Sequence, residues 1–301
     1  MMIYDCIVIG AGPAGLSATL TLGRARRNVA VIDNGTNRNR ITKEAHGYLT
    51  RDNIKPEEFR QIGLSELRNY PSISVFQATV NEIKKDEAAN QFLVHTADGQ
   101  KHRSEKIILA TGVQEEFKHE DVRGHYGISL FSCPYCDGWE LRDQPLVIIA
   151  EEEEHANHLT KLVYNWSTDL VVATNGGEMA QSNKDKLESK GILLKTEPIK
   201  SLHGKDGYLE EIEFISGERI QRKGGFVAPS FYRPNHFLEQ LGCDLDESGA
   251  AVTDGAGRTS QNHIYIAGET EQGGSTSLLF AAAAGSKAAF AVNMDLTTER
   301  F

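Results

Sequence analysis

Two cysteines separated by two residues, Cys133 and Cys136, carry the sharpest chemical signal in this sequence of 301 residues. Thiols at this spacing can close a small disulfide ring, and one of them often has a pKa lowered from about 8.5 toward 3.5–7.5. The same spacing also occurs as half of a metal site. The other two cysteines, Cys6 and Cys243, form no second pair in the sequence. The spacing therefore favours redox chemistry over structural zinc.

A glycine-rich turn is the second chemical signal, and it comprises Gly10, Ala11, Gly12, Pro13, Ala14 and Gly15. The apolar run Ile3 to Ile9 precedes it, and a helical stretch and a second apolar run ending at Asp33 follow. Two glycines let the backbone approach a pyrophosphate, the third allows close packing, and the helix N-terminus offers unpaired N–H groups. Asp33 would accept hydrogen bonds from ribose hydroxyls. The pattern predicts a dinucleotide site, without distinguishing FAD from NAD; the alternative is a tight turn in an ordinary α/β fold.

Charge and hydropathy narrow the classes of partner. The 32 basic and 42 acidic residues give a net charge of −10, which argues against binding nucleic acid or an anionic membrane surface. The apolar stretch Leu278 to Gly285 is far shorter than the about 20 residues that a membrane span needs. The N-terminus lacks the pattern of a signal peptide. We therefore expect a soluble, cytoplasmic protein with neither nucleic acid nor membrane as a partner.

The elements that must position these groups alternate between strands and helices. Short alternating runs between residues 74 and 109 predict a small antiparallel insert, and a second strand–helix–strand unit begins at Leu146. A last buried strand, Ile264 to Ala267, precedes a long alanine-rich helix from Thr276 to Asp295. This order predicts an α/β fold with two Rossmann-like (three-layer ββα) nucleotide-binding domains, the second inserted in the first. The predicted boundaries are 1–114 with 245–301 for the first domain, and 115–244 for the second.

Two later turns favour FAD as the dinucleotide. Ala110, Thr111 and Gly112 follow one predicted strand, and Gly268 and Glu269 follow another. These are the places where a two-strand flavin site brings backbone to an extended cofactor. The order of the elements, with Cys-Pro-Tyr-Cys-Asp-Gly at 133–138, resembles the low-molecular-weight thioredoxin reductases. The resemblance runs nearly end to end and includes Val122 to Gly124, Tyr126-Gly127, Arg233 to Asn235 and Arg258 to Ser260.

The resemblance implies a flavoprotein whose dithiol is the catalytic group. FAD would be the cofactor, Cys136 would face the flavin, and Cys133 would exchange electrons with an outside disulfide or dithiol. Asp137 matches the acid that carries a proton to or from the thiol in this family, although by itself it could be a turn residue before Gly138. The partner would be a small thioredoxin-like protein or a small-molecule dithiol or disulfide. A homodimer is expected from the resemblance as well.

The resemblance also assigns cofactor contacts outside the first glycine turn and Asp33. They are Asn34, Arg40, His46, Val80, Ala110, Thr111, Gly112, Gly268, Glu269, Thr276 and Ser277. Glu269 stands where aspartate is usual in the family, and Thr276 and Ser277 stand where Arg-Gln is usual. The alanine-rich helix is expected to begin beside them, where its dipole would stabilise the negative charge of reduced flavin. No metal ligand set is expected.

The second strand–helix–strand unit departs from the family at its first turn. Where a nicotinamide site has a glycine turn, this sequence has Ala150, four glutamates at 151–154 and His155. Four carboxylates would oppose the charge of a cofactor phosphate, and residues 173–178 lack the arginines that usually hold a 2′-phosphate. Acidic residues also simply favour the first turn of a helix. Both explanations predict that NADPH is not used efficiently through the usual site.

Two functions are consistent with this combination, and they differ in the direction of electron flow. In the first, the protein reduces disulfides, fed by atypically held NADPH, a ferredoxin-like donor or another flavoprotein. In the second, a dithiol substrate reduces the protein and oxygen reoxidises the flavin, which resembles the dithiol oxidases of gliotoxin- and holomycin-type metabolites. Those oxidases also lack the nicotinamide glycines. A third hypothesis is a redox-silent flavin-binding protein, and the intact dithiol argues against it.

Overall fold

The computed structural model describes residues 2–271 and 277–301. In chain order its strands are β1 (Ile3–Ile9), β2 (Val29–Asp33), β3 (Ile73–Gln77), β4 (Val80–Asp86), β5 (Gln91–Thr96), β6 (Lys101–Leu109), β7 (Gln114–Glu116), β8 (Leu130–Phe131), β9 (Leu146–Ile149), β10 (Leu170–Ala173), β11 (Leu193–Lys195), β12 (Ile199–Lys205), β13 (Tyr208–Phe214), β14 (Arg219–Gln221), β15 (Gly224–Val227), β16 (Ser230–Tyr232) and β17 (Ile264–Ile266). The helices are α1 (Pro13–Arg24), α2 (Pro56–Leu67), α3 (Val122–His125), α4 (Pro134–Asp137), α5 (Glu153–Val163), α6 (Gln181–Ser189), α7 (Phe237–Gln240) and α8 (Leu278–Arg300). Short 3-10 turns cover Arg38–Ile41 and Gly268–Thr270.

The chain divides into two compact units. The first unit comprises Met1–Arg40, Pro56–Gln114 and Tyr232–Phe301, and the second comprises Ile41–Lys55 and Glu115–Phe231. The predicted boundaries differ from this division at residues 41–55 and 232–244. The first of these segments pairs internally through Ala45 and Ile54, and Lys43 bonds the Tyr208 hydroxyl of β13. The second contains α7, whose Phe237 and Leu238 belong to a hydrophobic core of the first unit.

The first unit is built on a seven-stranded sheet in the order β3-β2-β1-β6-β5-β4, with β17 also paired to β6. β1 pairs in parallel with β2 and β6, and its residues Cys6, Ile7 and Val8 have no exposed surface. A short run of apolar and β-branched residues suits a parallel strand that is covered on both faces. The predicted antiparallel segment is present as β4, β5 and the start of β6, whereas β3 joins the parallel sheet beside β2.

Helices α1 and α8 cover one face of this sheet and pack closely against each other. Gly285 of α8 lies so near α1 that a Cβ atom there would stand 1.9 Å from the carbonyl oxygen of Ala14. The alanine-rich sequence of α8 allows the same close packing along the helix, because small side chains let the two backbones approach. This packing fixes the position of α1 against the sheet, and with it the glycine turn at its N-terminus.

The second unit repeats the alternation of strands and helices. Its parallel sheet has the order β11-β10-β9-β15-β8, and an antiparallel sheet, β12-β13-β14, accompanies it. β9 and β10 are fully buried runs of apolar residues, and α5 and α6 lie in the segments after them. The two Rossmann-like domains and the α/β class are therefore confirmed. None of the helices in residues 2–271 and 277–301 is long and apolar enough to cross a membrane.

Candidate functional site

The three glycines of the turn after β1 differ in the space that surrounds them. Gly10 has φ +101°, and a Cβ there would lie 2.4 Å from the carbonyl oxygen of Ala110. A Cβ at Gly15 would lie 1.8 Å from the Gly10 carbonyl oxygen. Gly12 differs, because a Cβ at that position would meet no atom of the described residues within 4 Å. Gly10 and Gly15 are therefore required by the packing of the protein itself, and Gly12 leaves open space in front of α1.

That open space has the chemistry of an anion site. Gly12 is the N-cap of α1, Pro13 is at the first turn, and no side chain in the described part of the chain caps the helix. Proline suits this position because it has no N–H to satisfy. The remaining N–H groups of the first turn and the positive end of the helix dipole favour a phosphate. The turn therefore fits the pyrophosphate of a dinucleotide.

Asp33 closes the other side of this turn from the end of β2. Its Oδ1 accepts the Ala11 N–H at 2.9 Å, and its Oδ2 accepts the Gly35 N–H at 3.1 Å. Arg60 of α2 adds a forked contact to the same Oδ2, with Nε at 3.1 Å and Nη2 at 2.8 Å. These donors hold the carboxylate in one orientation and leave Oδ1 with further capacity to accept a hydrogen bond. A ribose hydroxyl is the group that this position fits.

The carboxyl ends of three neighbouring strands meet beside the turn. β6 pairs in parallel with β1 on one side and with β17 on the other, so the segments that begin at Gly10, Ala110 and Gly268 leave the sheet at the same edge. The Gly112 N–H donates to Thr270 Oγ1 at 3.1 Å, which ties the second segment to the third. Ligands of open α/β sheets bind at this edge, and the three segments together give an extended cofactor such as FAD a continuous backbone surface.

The two cysteines of the Cys-Pro-Tyr-Cys motif form a disulfide in the second unit. Cys133 is the N-cap of the short helix α4, and Pro134 occupies its first turn. Gly138 follows at the helix end, where a Cβ would lie 2.4 Å from the Pro134 carbonyl oxygen and 2.9 Å from the Trp166 ring. The motif thus specifies a tight turn that holds both sulfur atoms together. Among the described residues, no group of three or more His, Cys, Asp or Glu side chains could hold a metal ion.

Asp137 is a buried acid on the same turn as the disulfide. Its residue is 9% exposed, and its N–H donates to the Cys133 carbonyl oxygen at 3.2 Å. The pKa of Asp137 is raised to about 7, chiefly because burial disfavours the carboxylate, while the charge of His46 lowers this pKa and the charge of Glu140 raises it. A carboxyl group with this pKa exists in both protonation states near neutral pH, so it can give or take a proton there. The arrangement can therefore serve thiol–disulfide exchange, in which thiolates must form and be protonated.

The turn after β9 is occupied by the protein's own carboxylates. Glu151 accepts the Asn175 side-chain N–H at 3.1 Å at the end of β10. Glu153 accepts the Ala180 N–H at 2.9 Å and the Asn183 side-chain N–H at 2.6 Å. These hydrogen bonds hold the pKa of Glu153 below its usual value, which keeps the carboxylate charged. The second strand–helix–strand unit therefore uses its first turn for internal hydrogen bonds.

Comparison with known proteins gives the family of the chain. Residues 4–285 match the family model described as "Pyridine nucleotide-disulphide oxidoreductase". The chain belongs to this family. This oxidoreductase is therefore an enzyme by family, and the expected relationship to the thioredoxin reductases is confirmed by the relatives that it matches.

Three relatives illustrate this relationship. Over 295 residues the oxidoreductase is 30% identical to "Thioredoxin reductase sirT" of Leptosphaeria maculans, covering 89% of this chain and 86% of the relative. A protein of Bacillus anthracis crystallised under the name TrxB is 57% identical, with a TM-score of 0.96 over 99% of this chain and 100% of the other. HlmI is 30% identical, with a TM-score of 0.92 over 99% and 94% of the two chains.

Several of the expected cofactor residues lie around the strand ends of the first unit. Glu269 forms an ion pair with Arg38 at 2.5 Å, and Arg40 donates to the carbonyl oxygens of Thr36 and Asn37. The Asn34 side chain accepts from the N–H and the hydroxyl of Thr36, so it stabilises the turn after β2. Val80 begins β4 and packs against a core of the unit.

Three further residues, His46, Thr276 and Ser277, were expected to contact the cofactor of the oxidoreductase. His46 belongs to the second unit, where its Nδ1 lies 2.9 Å from Asn53 Oδ1, and its contact with the cofactor stays a prediction. Ser277 is the N-cap of α8 and accepts the Phe280 N–H at 3.1 Å. Thr276 lies outside the described residues.

Sequence reasoning missed the side chains that support the predicted ones. Arg60 escaped notice because nothing local links α2 to the end of β2. The aromatic residues beside the disulfide were also missed: Tyr135 is 75% exposed and Trp139 is 64% exposed. Arg142 lies over the Trp139 ring at 4.1 Å from its centroid. Their position within and directly after the cysteine motif was the available signal, since exposed aromatic side chains beside a reactive group are typical of recognition surfaces.

Proposed function

We propose that this protein is an FAD-dependent disulfide oxidoreductase that passes electrons between flavin and a dithiol or disulfide substrate through Cys133 and Cys136. The observation that carries the proposal is the disulfide on the same turn as Asp137, a buried acid whose pKa is raised to about 7. Family membership alone would not support this chemistry, because the disulfide and the acid that carries the proton must be present in this chain. The relatives named thioredoxin reductase support the same chemistry.

The first unit fits FAD. The open space at Gly12 would take the pyrophosphate, Asp33 would accept a ribose hydroxyl, and the segments at Ala110 and Gly268 would line the extended cofactor. The bound flavin supplies a carrier that accepts and releases two electrons. The protein contributes the binding surface and the fixed orientation of Asp33.

The dithiol half-reaction follows from the motif. A substrate thiolate attacks Cys133, the bond to Cys136 breaks, and the proton held by Asp137 goes to the departing sulfur. The second substrate thiolate then attacks the substrate sulfur of the mixed disulfide and releases Cys133 as a thiolate, which takes up a proton from water. The substrate dithiol is oxidised to a disulfide by loss of two electrons, and Cys133 and Cys136 are reduced to thiols. Run in reverse, the same steps reduce a substrate disulfide.

NADPH is not the electron donor at the second unit in this proposal. The donors that surround the turn after β9 are already bonded to Glu151 and Glu153. A dinucleotide phosphate placed there would meet like charge at short range. Electrons would enter from a dithiol substrate with oxygen as the final acceptor, or from a ferredoxin-like donor with a disulfide as the acceptor. The substrate side would be a thioredoxin-like protein or a small dithiol, and the protein would work as a cytoplasmic homodimer.

The first test compares cysteine variants by the reduction of flavin. Under anaerobic conditions dithiothreitol should bleach the flavin of the wild type. The C136S variant should bind FAD but lose most of this bleaching, because the path through the disulfide is cut. The matched control is C243S, which replaces a buried free cysteine and should bleach like the wild type. Full bleaching of C136S would contradict the assignment, and a redox titration without any contribution from the two cysteines would favour a redox-silent flavin-binding protein.

A further inference from the structure

Ser132 lies between the end of strand β8 and the first cysteine of the disulfide. β8 ends at Phe131, which pairs in parallel with the buried strand β15. After the cysteine, α4 holds the chain, because the carbonyl oxygen of Cys133 accepts the N–H groups of Cys136 at 3.1 Å and Asp137 at 3.2 Å. Ser132 is therefore the residue at which the sheet passes into the turn that carries the disulfide.

The side chain of Ser132 is hydrogen-bonded to Tyr126. The two hydroxyl oxygens are 2.7 Å apart, and the Tyr126 hydroxyl donates to Glu115 Oε1 at 3.0 Å. A tyrosine hydroxyl has a single proton, and a carboxylate oxygen can only accept. The Ser132 hydroxyl is thus the donor to the Tyr126 oxygen, so the bonds run in one direction from Ser132 through Tyr126 to Glu115.

Tyr126 can restrain Ser132 because its ring and its backbone are both held in the second unit. The ring packs against the Phe117 ring, with 4.6 Å between the centroids, and against a hydrophobic core of that unit. The Tyr126 N–H donates to the Val122 carbonyl oxygen at 2.9 Å, and Tyr126 forms a β-bridge with Leu130. The bond between the two hydroxyls therefore fixes the chain that leads into the first cysteine.

This restraint has different consequences in the two redox states of the cysteines. In the disulfide, the covalent bond to Cys136 already holds Cys133, so a further restraint on the preceding residue adds little. In the dithiol that bond is absent, and the Tyr126–Ser132 hydrogen bond limits how far the chain at Cys133 can move. Two thiols that are held close together have a high effective concentration for each other, which favours closure of the disulfide.

We propose that Tyr126 and Ser132 are positioning residues that act through the main chain at Cys133 and favour closure of the Cys133–Cys136 disulfide. Neither side chain is assigned a contact with substrate. This inference rests on the proposed function of the two cysteines in disulfide exchange. Because the hydrogen bond orders the chain before the ring closes, closure costs less conformational entropy, and the dithiol passes its electrons onward more readily.

The test measures a thiol–disulfide equilibrium and does not depend on the colour of the flavin. Purified holoprotein is equilibrated anaerobically with mixtures of reduced and oxidised glutathione, quenched with acid and alkylated, and the alkylated Cys133 and Cys136 are counted by mass spectrometry. Two glutathione thiols give up two electrons and two protons to the protein disulfide, and they form one glutathione disulfide. The fraction of dithiol in each mixture therefore gives the equilibrium constant.

Two variants remove one partner each of the same hydrogen bond. Y126F and S132A should each shift the equilibrium toward the dithiol by about fivefold, the size of one net hydrogen bond. The double variant Y126F/S132A should shift it no further than Y126F alone, because residues that share one interaction are not additive. Non-additivity distinguishes the bond between the two hydroxyls from separate effects of the two substitutions.

The controls remove hydroxyl groups that form hydrogen bonds elsewhere. Ser201 Oγ lies 2.9 Å from His203 Nε2 in β12 of the second unit, and the Tyr70 hydroxyl accepts from Arg24 in the first unit. S201A and Y70F should both leave the equilibrium constant of the cysteines unchanged.

Three results would overturn the inference: constants for Y126F and S132A that equal the wild-type value or move toward the disulfide, additive shifts in the double variant, or shifts of the same size in S201A and Y70F. The proposed function fails on a different result. If the cysteines exchange with glutathione but dithiothreitol never bleaches the flavin, electrons do not pass between disulfide and flavin, while the variants still decide the role of Tyr126 and Ser132.

Discussion

At the scale of single residues, Asp137 combines burial with a charge that it must sometimes carry. Burial is the largest cause of its raised pKa, since removing a carboxylate from water disfavours its charged form. A surface aspartate would remain ionised and could not supply a proton at neutral pH. The buried carboxyl of Asp137 therefore destabilises the folded protein when it is charged, but it provides an acid beside the disulfide. This cost should be visible in the stability of the protein.

The D137N variant should become more stable than the wild type as pH rises. The unfolded Asp137 releases its proton near 3.8 and the folded one near 7, so the free energy of unfolding of the wild type falls across this interval. Asparagine has no such loss, and the difference between the two proteins should grow by up to about 4 kcal/mol between these pH values. Chemical denaturation of both proteins at acidic and basic pH measures it. A difference that is constant with pH would mean that Asp137 has an ordinary pKa.

Arg60 is the residue that shapes Asp33, and its loss should weaken the binding of FAD. Without the forked contact from Nε and Nη2, the carboxylate can rotate away from the position in which it would accept the ribose hydroxyl. We expect R60Q to raise the Kd for FAD by about tenfold, the size of one charge-assisted hydrogen bond. Titration of apoprotein followed by flavin fluorescence measures this, with R24Q as a control because Arg24 bonds only Tyr70 among the described residues. Equal affinities of R60Q and wild type would remove Arg60 from the site.

At the scale of elements, local patterns predicted the strand–turn–helix units and tertiary contacts decided the rest. The turn from Gly10 to Gly15 was predictable because glycine spacing, a buried strand and a helix stand next to one another in the sequence. The place of Ile41–Lys55 was not, because its contacts with Gly127 and Tyr208 join residues far apart in the chain. His46 belongs to this segment and thus to the disulfide unit, and its contact with the cofactor stays a prediction.

The glycine turn offers a variant that separates folding from binding. G12V adds a side chain where a Cβ would have no atom of residues 2–271 or 277–301 within 4 Å, and the φ of −70° at Gly12 is open to valine. The protein should fold with an unchanged circular dichroism spectrum, and it should be purified without its yellow colour because the side chain fills the place of the pyrophosphate. G124V is the control, since a Cβ at Gly124 of α3, in the second unit, would also meet no described atom within 4 Å and its backbone is not left-handed. A yellow G12V protein would contradict the placement of FAD.

At the scale of the whole molecule, two copies of one nucleotide-binding architecture have different surfaces at the same position. The first copy presents Gly12 and an uncapped helix, which favour an anion. The second presents Glu151 and Glu153, each bonded to donors of its own unit. The sequence predicted this contrast because both turns directly follow a buried strand. It could not predict the bonding partners Asn175 and Asn183, which come from later elements.

The most direct test of the account follows the flavin absorbance of the purified wild type under anaerobic conditions, first with excess NADPH and then with dithiothreitol. We expect little bleaching by NADPH and rapid bleaching by dithiothreitol, because electrons would reach the flavin through Cys133 and Cys136 and the carboxylates of the turn after β9 would oppose a dinucleotide phosphate. Admission of air then distinguishes the two directions, since fast reoxidation favours the dithiol oxidase and slow reoxidation favours a reductase with a ferredoxin-like donor. Rapid bleaching by NADPH would contradict the account.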